Sequence, residues 1–174
     1  MASGPSLTAD DCEAVRAWRT GSKDRGVIVI NTTFRLAPWA DVLYAMDRAW
    51  WKEYGEEAIS SFRGELWAPL TGLRGVRKAS FDYGKNSGLG AISLAVHWGA
   101  QRIILIGYDC QKTEGKAHWH ADHPNGLGNA GAVDKWPAQF EALANRLMIE
   151  VVNASRSTAL KCFPRRALNE ALLQ

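Results

Sequence analysis

Three of the four histidines of this chain fall within six residues, in the segment His118-Trp119-His120-Ala121-Asp122-His123-Pro124, inside a loop-like stretch that follows an apolar strand. Imidazole exchanges protons near neutral pH and is also the commonest transition-metal ligand, so two chemistries are open to the cluster. In the first, one histidine accepts a proton from a hydroxyl group, with Asp122 or Asp109 orienting the ring; a single hydrogen bond is all that this requires. In the second, two or three histidines with Asp122 hold one zinc ion, because side chains at i and i+2 share one face of an extended segment. A third reading gives these rings nothing beyond packing and hydrogen bonding. The catalytic set expected from the sequence is therefore His118, His120, Asp122 and His123, with the metal question open.

Two loops could hold an anion beside them. Ser3-Gly4-Pro5-Ser6-Leu7 precedes a helical stretch, so its N–H groups and the Ser6 hydroxyl can face a phosphate at a helix N-terminus. Asn86-Ser87-Gly88-Leu89-Gly90 also opens a helix, and its glycines allow close approach of a ligand to the backbone. Each loop reads equally as ordinary helix capping. Asp47 follows an apolar strand and either accepts bonds from a ribose, holds a metal or caps the helix of the Trp50 segment. Asn153, Ser155 and Arg156, and separately Arg35, are further candidates for closing a phosphate site. Cys110 lies close by, but no activating base accompanies it in sequence, so no nucleophile is expected there.

These residues need elements to position them. Apolar runs at Val27–Ile30, Asp41–Met46, Ile103–Ile106 and Ile149–Val152 read as strands, with a weaker one near Val76 to Phe81. Helical patterns cover Thr8 to Trp18, Ser87 to Trp98 and Lys135 to Met148; Thr8 with Asp11 three residues on resembles a capping box. Phe163-Pro164 reads as the start of a terminal helix over Arg165 to Leu172. Strands alternating with helices predict an α/β fold, a mostly parallel sheet with helices on both faces. Ligands of such sheets gather at the carboxyl ends of the strands. The loops there are Asn31-Thr32-Thr33, Asp47-Arg48, Asn86-Ser87-Gly88, Gly107-Tyr108-Asp109 and Asn153 to Arg156. A long loop, glycine-rich from Gly115 to Gly131, holds the histidines, and loops of that length are usually functional or disordered.

Composition bounds the function. The 174 residues suit one domain, taken as residues 1–174. A net charge of +3 and scattered basic residues give no dedicated nucleic-acid surface. Cys12, Cys110 and Cys162 are odd in number and far apart, which predicts free thiols and a cytoplasmic location. No secretory leader and no apolar run of about 20 residues is present, so no membrane association is expected. Of the eight tryptophans, Trp50, Trp67 and Trp98 are expected to pack in the core, while Trp39, Trp119 and Trp136 lie nearer loops and could wall a ligand.

The order of motifs, Gly-Pro-Ser-Leu in the first loop, strands ending at Asn31 and Asp47, Asn86-Ser87-Gly88 opening a helix and Ile-Leu-Ile-Gly-Tyr-Asp from 104 to 109, resembles a known set. It is similar to the Rossmann-like superfamily of bacterial CMP-sialic-acid-dependent sialyltransferases and 6-hydroxymethylpterin diphosphokinase-like domains, over roughly residues 3 to 125. The resemblance implies nucleotide contacts at Ser3, Gly4, Pro5, Ser6, Asn31, Ser87 and Gly88 and a histidine general base, His118 or His120. Asp47, Asn86, Gly107, Tyr108 and Asp109 complete the expected nucleotide site. In the diphosphokinase relatives ATP is bound with a divalent ion near acidic turn residues, a place that Asp47 and Asp109 would suit with magnesium. The family also has a whole strand before the Gly-Pro loop. The first strand is thus expected to be absent or to lie upstream of this chain, and the open sheet edge invites a homodimer.

The string His118-x-His120-x-Asp122-His123 also matches the HxHxDH pattern of metallo-β-lactamase-fold hydrolases, whose two metal ions generate a hydroxide. That site needs further ligands downstream, and no histidine follows His123. The function expected is group transfer from a nucleotide or nucleotide-sugar to a small-molecule or glycan acceptor. A sialyltransferase-like glycosyltransferase comes first, an ATP-dependent diphosphokinase second, and a non-catalytic nucleotide-binding protein is the competing class.

Overall fold

A computed structural model describes residues 1–82, 84–124 and 127–173; Asn125 and Gly126, within the long loop, lie outside the described residues. The strands are β1 (Ile28–Ile30), β2 (Val42–Tyr44), β3 (Glu65–Ala68), β4 (Val76–Lys78), β5 (Arg102–Leu105) and β6 (Glu150–Asn153). The α-helices are α1 (Ala9–Thr20), α2 (Arg48–Ser61), α3 (Ser87–His97), α4 (Trp136–Ala144) and α5 (Leu168–Leu172).

The fold is α/β, and every strand pairing is parallel: β1-β2-β3-β4 form one ladder and β5-β6 a second. Side chains alternate across a strand, so each strand feeds two cores. Val29, Leu43 and Leu66 face a core built with Cys12 and Val15 of α1, with Trp50, Trp51 and Tyr54 of α2, and with Ala171 of α5. Ile30, Val42, Tyr44 and Leu105 face the opposite core, with Leu89 and Ile92 of α3 and Phe140 of α4. Helices therefore cover both faces.

Local chemistry sets where the helices begin. The Thr8 hydroxyl accepts the Asp11 N–H at 3.2 Å while the Asp11 carboxylate accepts the Thr8 N–H at 3.1 Å, a reciprocal box that starts α1. Asn86 accepts the Leu89 N–H at 3.0 Å and starts α3.

Between β1 and β5 the sheet is interrupted, and the first residues lie in the gap. The Met1 ammonium donates to the Ile28 carbonyl at 2.6 Å, and Ile30 N–H donates to the Met1 carbonyl at 3.0 Å. On the other side Ala2 N–H donates to the Ile106 carbonyl at 2.8 Å and Gly4 N–H to the Gly107 carbonyl at 2.9 Å. This short rung ties the two ladders together.

The structure adds β3 to the elements expected from sequence, extends the helix of the Trp50 segment over Arg48–Ser61, and turns the Asn31–Thr33 loop into a 3₁₀ helix, Asn31–Arg35. The expected terminal helix is shorter: Arg165 forms a bridge with Asn153, and helix begins only at Leu168. Helix α4 stops at Ala144, short of Met148, which is 96 % exposed. Trp50 is buried as expected, but Trp98 is 46 % exposed. No described helix is long and apolar enough to cross a membrane, and all three cysteines are free.

Candidate functional site

The carboxyl ends of the strands and the loops that follow them enclose a cavity of about 430 Å³. Of the residues singled out from sequence, Ser3, Gly4, Asn31, Asp47, Asn86, Ser87, Gly88, Gly107, Tyr108, Asp109, His118 and His123 line it. Pro5, Ser6, His120 and Asp122 are outside the lining.

The first loop is held by the turn after β5. Asp109, 1 % exposed, accepts the Ser6 N–H at 2.9 Å and the Ser6 hydroxyl at 2.7 Å, and the Thr113 hydroxyl at 3.2 Å. The Ser6 donors are thus committed to a carboxylate of the protein itself and do not face an anion. Gly4 is needed for the same packing, since a Cβ there would run into the Asp109 carboxylate and the Gly107 carbonyl. Gly107 has φ of 71°, where a side chain would be strained and would meet the Ala2 carbonyl. Burial raises the Asp109 carboxyl above the usual range against the pull of the Ser6 and Thr113 bonds.

The second loop also lines the cavity. Asn86 caps α3 and its Nδ2 donates to Gln139 Oε1 at 3.0 Å; the buried Ser87 hydroxyl accepts the Met46 N–H at 3.1 Å. The space left by Gly88 is taken by Phe140 and Tyr108, and that left by Gly90 by the Tyr44 ring. These glycines serve helix-to-sheet packing in place of the ligand approach expected of them. The Tyr108 hydroxyl, raised by burial, donates to the Gly88 carbonyl at 3.3 Å. Asp47 occupies the N-cap position of α2 but makes no side-chain capping bond, and desolvation raises its carboxyl.

The three histidines form a triangle, with ring centroids 4.9 Å (His118–His120), 5.0 Å (His118–His123) and 4.8 Å (His120–His123) apart. The rings of His118 and His120 are stacked, with an interplanar angle of 6°. Each Nδ1 has a partner: the Ser3 hydroxyl for His118 at 3.4 Å, the Ala121 carbonyl for His120 at 2.6 Å and the Tyr54 hydroxyl for His123 at 2.8 Å. Neither Asp109, committed to Ser6, nor the exposed Asp122 is among these partners. Nε2 of His118 and of His120 are buried without a partner, as is Oδ1 of Asn31, whose φ is 50°.

Burial, then the neighbouring His120 and His123, pulls the His118 pKa down to about 4. His123 falls to about 4 through burial, His120 and Arg35, and burial lowers His120 as well. The triad is neutral at pH 7. No group of three His, Cys, Asp or Glu among the described residues is arranged to hold a metal ion, so the cluster is not a preformed zinc site. Cys110, with its pKa raised to about 12 chiefly by burial, is a thiol and not a nucleophile.

Other candidates are committed elsewhere. Arg156 pairs with Asp11 through two bonds of 2.8 and 3.0 Å, and Arg35 with Glu57 through bonds of 2.7 and 2.5 Å. Asn153 and Ser155 support the Tyr108 turn, whose N–H the Ser155 hydroxyl accepts at 2.8 Å. Trp136 lines the cavity, whereas Trp39 and Trp119 pack against the core. Sequence reasoning missed Lys85, the only lysine or arginine among the described lining residues, and Tyr54, the partner of His123. Lys85 directly precedes Asn86 and could have been read as part of that loop; nothing in sequence links Tyr54 to a histidine 69 positions away.

Comparison with models of known protein families, with curated proteins and with solved structures gave no match to this chain.

Proposed function

We propose that this protein binds a nucleotide or nucleotide-activated donor in the cavity at the strand carboxyl ends and transfers a group to an acceptor hydroxyl, as a sialyltransferase-like glycosyltransferase does. The observation that carries this reading is a pair of unsatisfied atoms among the lining residues. Asn31 Oδ1 and His118 Nε2 are both buried, both belong to lining residues and both lack a partner. Buried polar atoms are nearly always hydrogen-bonded, so this cavity calls for a ligand that offers N–H or O–H groups. A nucleobase or ribose supplies a donor to Asn31, and an acceptor hydroxyl supplies one to His118.

The phosphates lie at the start of α3. Its first N–H groups, at Ser87 and Gly88, have no carbonyl one turn earlier within the helix, and the helix dipole favours negative charge there. Lys85 adds a full positive charge. His118, held through Nδ1 by Ser3, takes the acceptor proton on Nε2. A base with a pKa near 4 is weak, and an anionic donor beside it raises that value toward the working range. His120, outside the cavity, is left to pack His118.

A second reading follows from Asp47, whose carboxyl is free of capping and faces the same cavity. It suits a divalent ion carried by ATP, the diphosphokinase chemistry.

Thermal shift with CMP, UDP and ATP and their sugar conjugates, with and without magnesium, tests both. Ligand at 100 times its Kd should stabilise the fold by about 2.7 kcal/mol. His118→Ala should keep that shift and lose turnover. A shift without transfer in the unaltered protein identifies a non-catalytic binder, a magnesium-dependent shift confined to ATP favours the diphosphokinase, and no shift with any nucleotide ends the reading.

A further inference from the structure

Two of the three imidazoles, His118 and His123, line the cavity, and their ring centroids are 5.0 Å apart. A neutral imidazole carries a proton on one nitrogen and a lone pair on the other, and the partner of one nitrogen fixes what the other can offer. As the base of the proposed reaction, His118 keeps its proton on Nδ1, beside Ser3, and offers the buried Nε2 lone pair.

His123 is arranged the other way round. Its Nδ1 lies 2.8 Å from the Tyr54 hydroxyl, and Tyr54 is outside the cavity lining. A phenol is a good donor and a poor acceptor, whereas the imidazole lone pair is a strong acceptor, so the proton of this bond belongs to Tyr54. The surroundings favour the same sense. The Arg35 guanidinium, itself paired with Glu57, lies over the Tyr54 ring at 5.2 Å from its centroid. A cation there strengthens the phenol as a donor and opposes a positive charge on His123, whose pKa is lowered first by burial, then by His120 and Arg35. The buried Tyr54 ring packs on Trp50 at 5.5 Å, and Asn129 holds the His123 backbone through bonds of 2.7 and 3.2 Å. Both ends of the Tyr54–His123 bond are therefore fixed. With Nδ1 spent, Nε2–H is the polar group that His123 has left for the cavity.

We propose that Tyr54 is a positioning residue that locks His123 as the Nε2–H tautomer, so that His123 and His118 present a donor beside an acceptor and together select a hydroxyl group. A hydroxyl both donates and accepts. It donates to the His118 lone pair and accepts the His123 N–H. An ammonium only donates and leaves the His123 N–H unpaired; a carboxylate only accepts and faces the His118 lone pair. The substrate class taken at this end of the cavity is thus an alcohol, in place of an amine or an acid. This deepens the proposed transfer and rests on His118 as its base.

NMR of nitrogen-labelled imidazoles in the ligand-free protein, at about pH 8 where all three rings are neutral, reads the tautomers directly. His123 should carry its proton on Nε2 and His118 on Nδ1. A His123 proton on Nδ1 overturns this proposal alone, whereas a His118 proton on Nε2 removes the base of the transfer as well. Methanol, methylammonium and formate are then titrated against the same signals. Methanol should perturb both rings at a concentration at least about 10-fold below either ion, because a site built around a hydroxyl rejects groups that leave one of its partners unpaired. An equal or stronger response to either ion, or none to methanol, overturns the selectivity. Tyr54→Phe keeps the ring and its packing and removes the O–H. It should shift the His123 Nδ1 signal, admit the Nδ1–H tautomer and cut the preference for methanol at least about 3-fold, with circular dichroism confirming the fold. An unchanged His123 ring in that folded variant overturns the role of Tyr54.

Discussion

His118 shows how a side chain that reads as a switch in sequence becomes a neutral group in the fold. Its ring is 8 % exposed, lies beside two other imidazoles and titrates near pH 4, against about 6.5 in an unfolded chain. Between those values the unfolded state binds more protons than the folded one, so stability is fully present above pH 6.5 and is lost as pH falls toward 4. At pH 5 the loss from His118 alone is about 2 kcal/mol relative to pH 7. Urea unfolding at the two pH values measures it, and His118→Gln should shrink the difference; an unchanged difference would show that this ring does not carry it. The identity of the chemically interesting residues was legible because three histidines in six positions stand out against any background. Their partners were not. Ser3 and Tyr54 orient His118 and His123 from 115 and 69 residues away, whereas the nearby carboxylates expected to do so bond elsewhere or stay in solvent.

At the scale of elements, strand and helix patterns were readable where hydrophobic period and capping residues coincide, as in α1 and α3. Strand β3 escaped because Glu65-Leu66-Trp67-Ala68 is only four residues long with an exposed acid at its start, and pairing on both edges makes it a strand. Helix α2 buries Trp50, Trp51, Tyr54 and Ala58, a helical spacing that was available in the sequence. The glycines tell a similar story. Gly4-Pro5-Ser6 has the composition of an anion loop, and the turn after β5 claims its contacts for packing. Gly4→Ala should therefore destabilise the fold by about 1–3 kcal/mol through overpacking, even without any ligand. Thermal denaturation of the unliganded variant checks this; wild-type stability with impaired nucleotide binding would instead assign Gly4 to ligand approach.

The whole molecule is closed by contacts between its two ends. Arg156, after β6, reaches Asp11 at the start of α1 across 145 residues, and the Asp11 side chain is 4 % exposed while the arginine is 60 % exposed. The acid is also held by Thr8, and Arg156 keeps it ionised: its carboxyl lies below the usual range despite its burial. Arg156→Ala leaves that carboxylate short of a partner and should cost about 1–2 kcal/mol, less than a fully buried pair because the guanidinium stays largely hydrated. A lowered urea midpoint with an unchanged m-value is the expected signature.

Sequence alone determined the class of the fold, because hydrophobic periodicity and capping residues are local, and strands alternating with helices favour a parallel sheet. It also marked the residue types that gather at the strand ends. Only the tertiary structure decided which polar atoms there are already satisfied. It commits Ser6 to Asp109 and Arg156 to Asp11, leaves Asn31 and His118 open in the cavity lining, and ties β1 to β5 through the Met1–Ala2 rung. The physical reason is that hydrogen-bond satisfaction depends on neighbours distant in the chain, and these are set by packing.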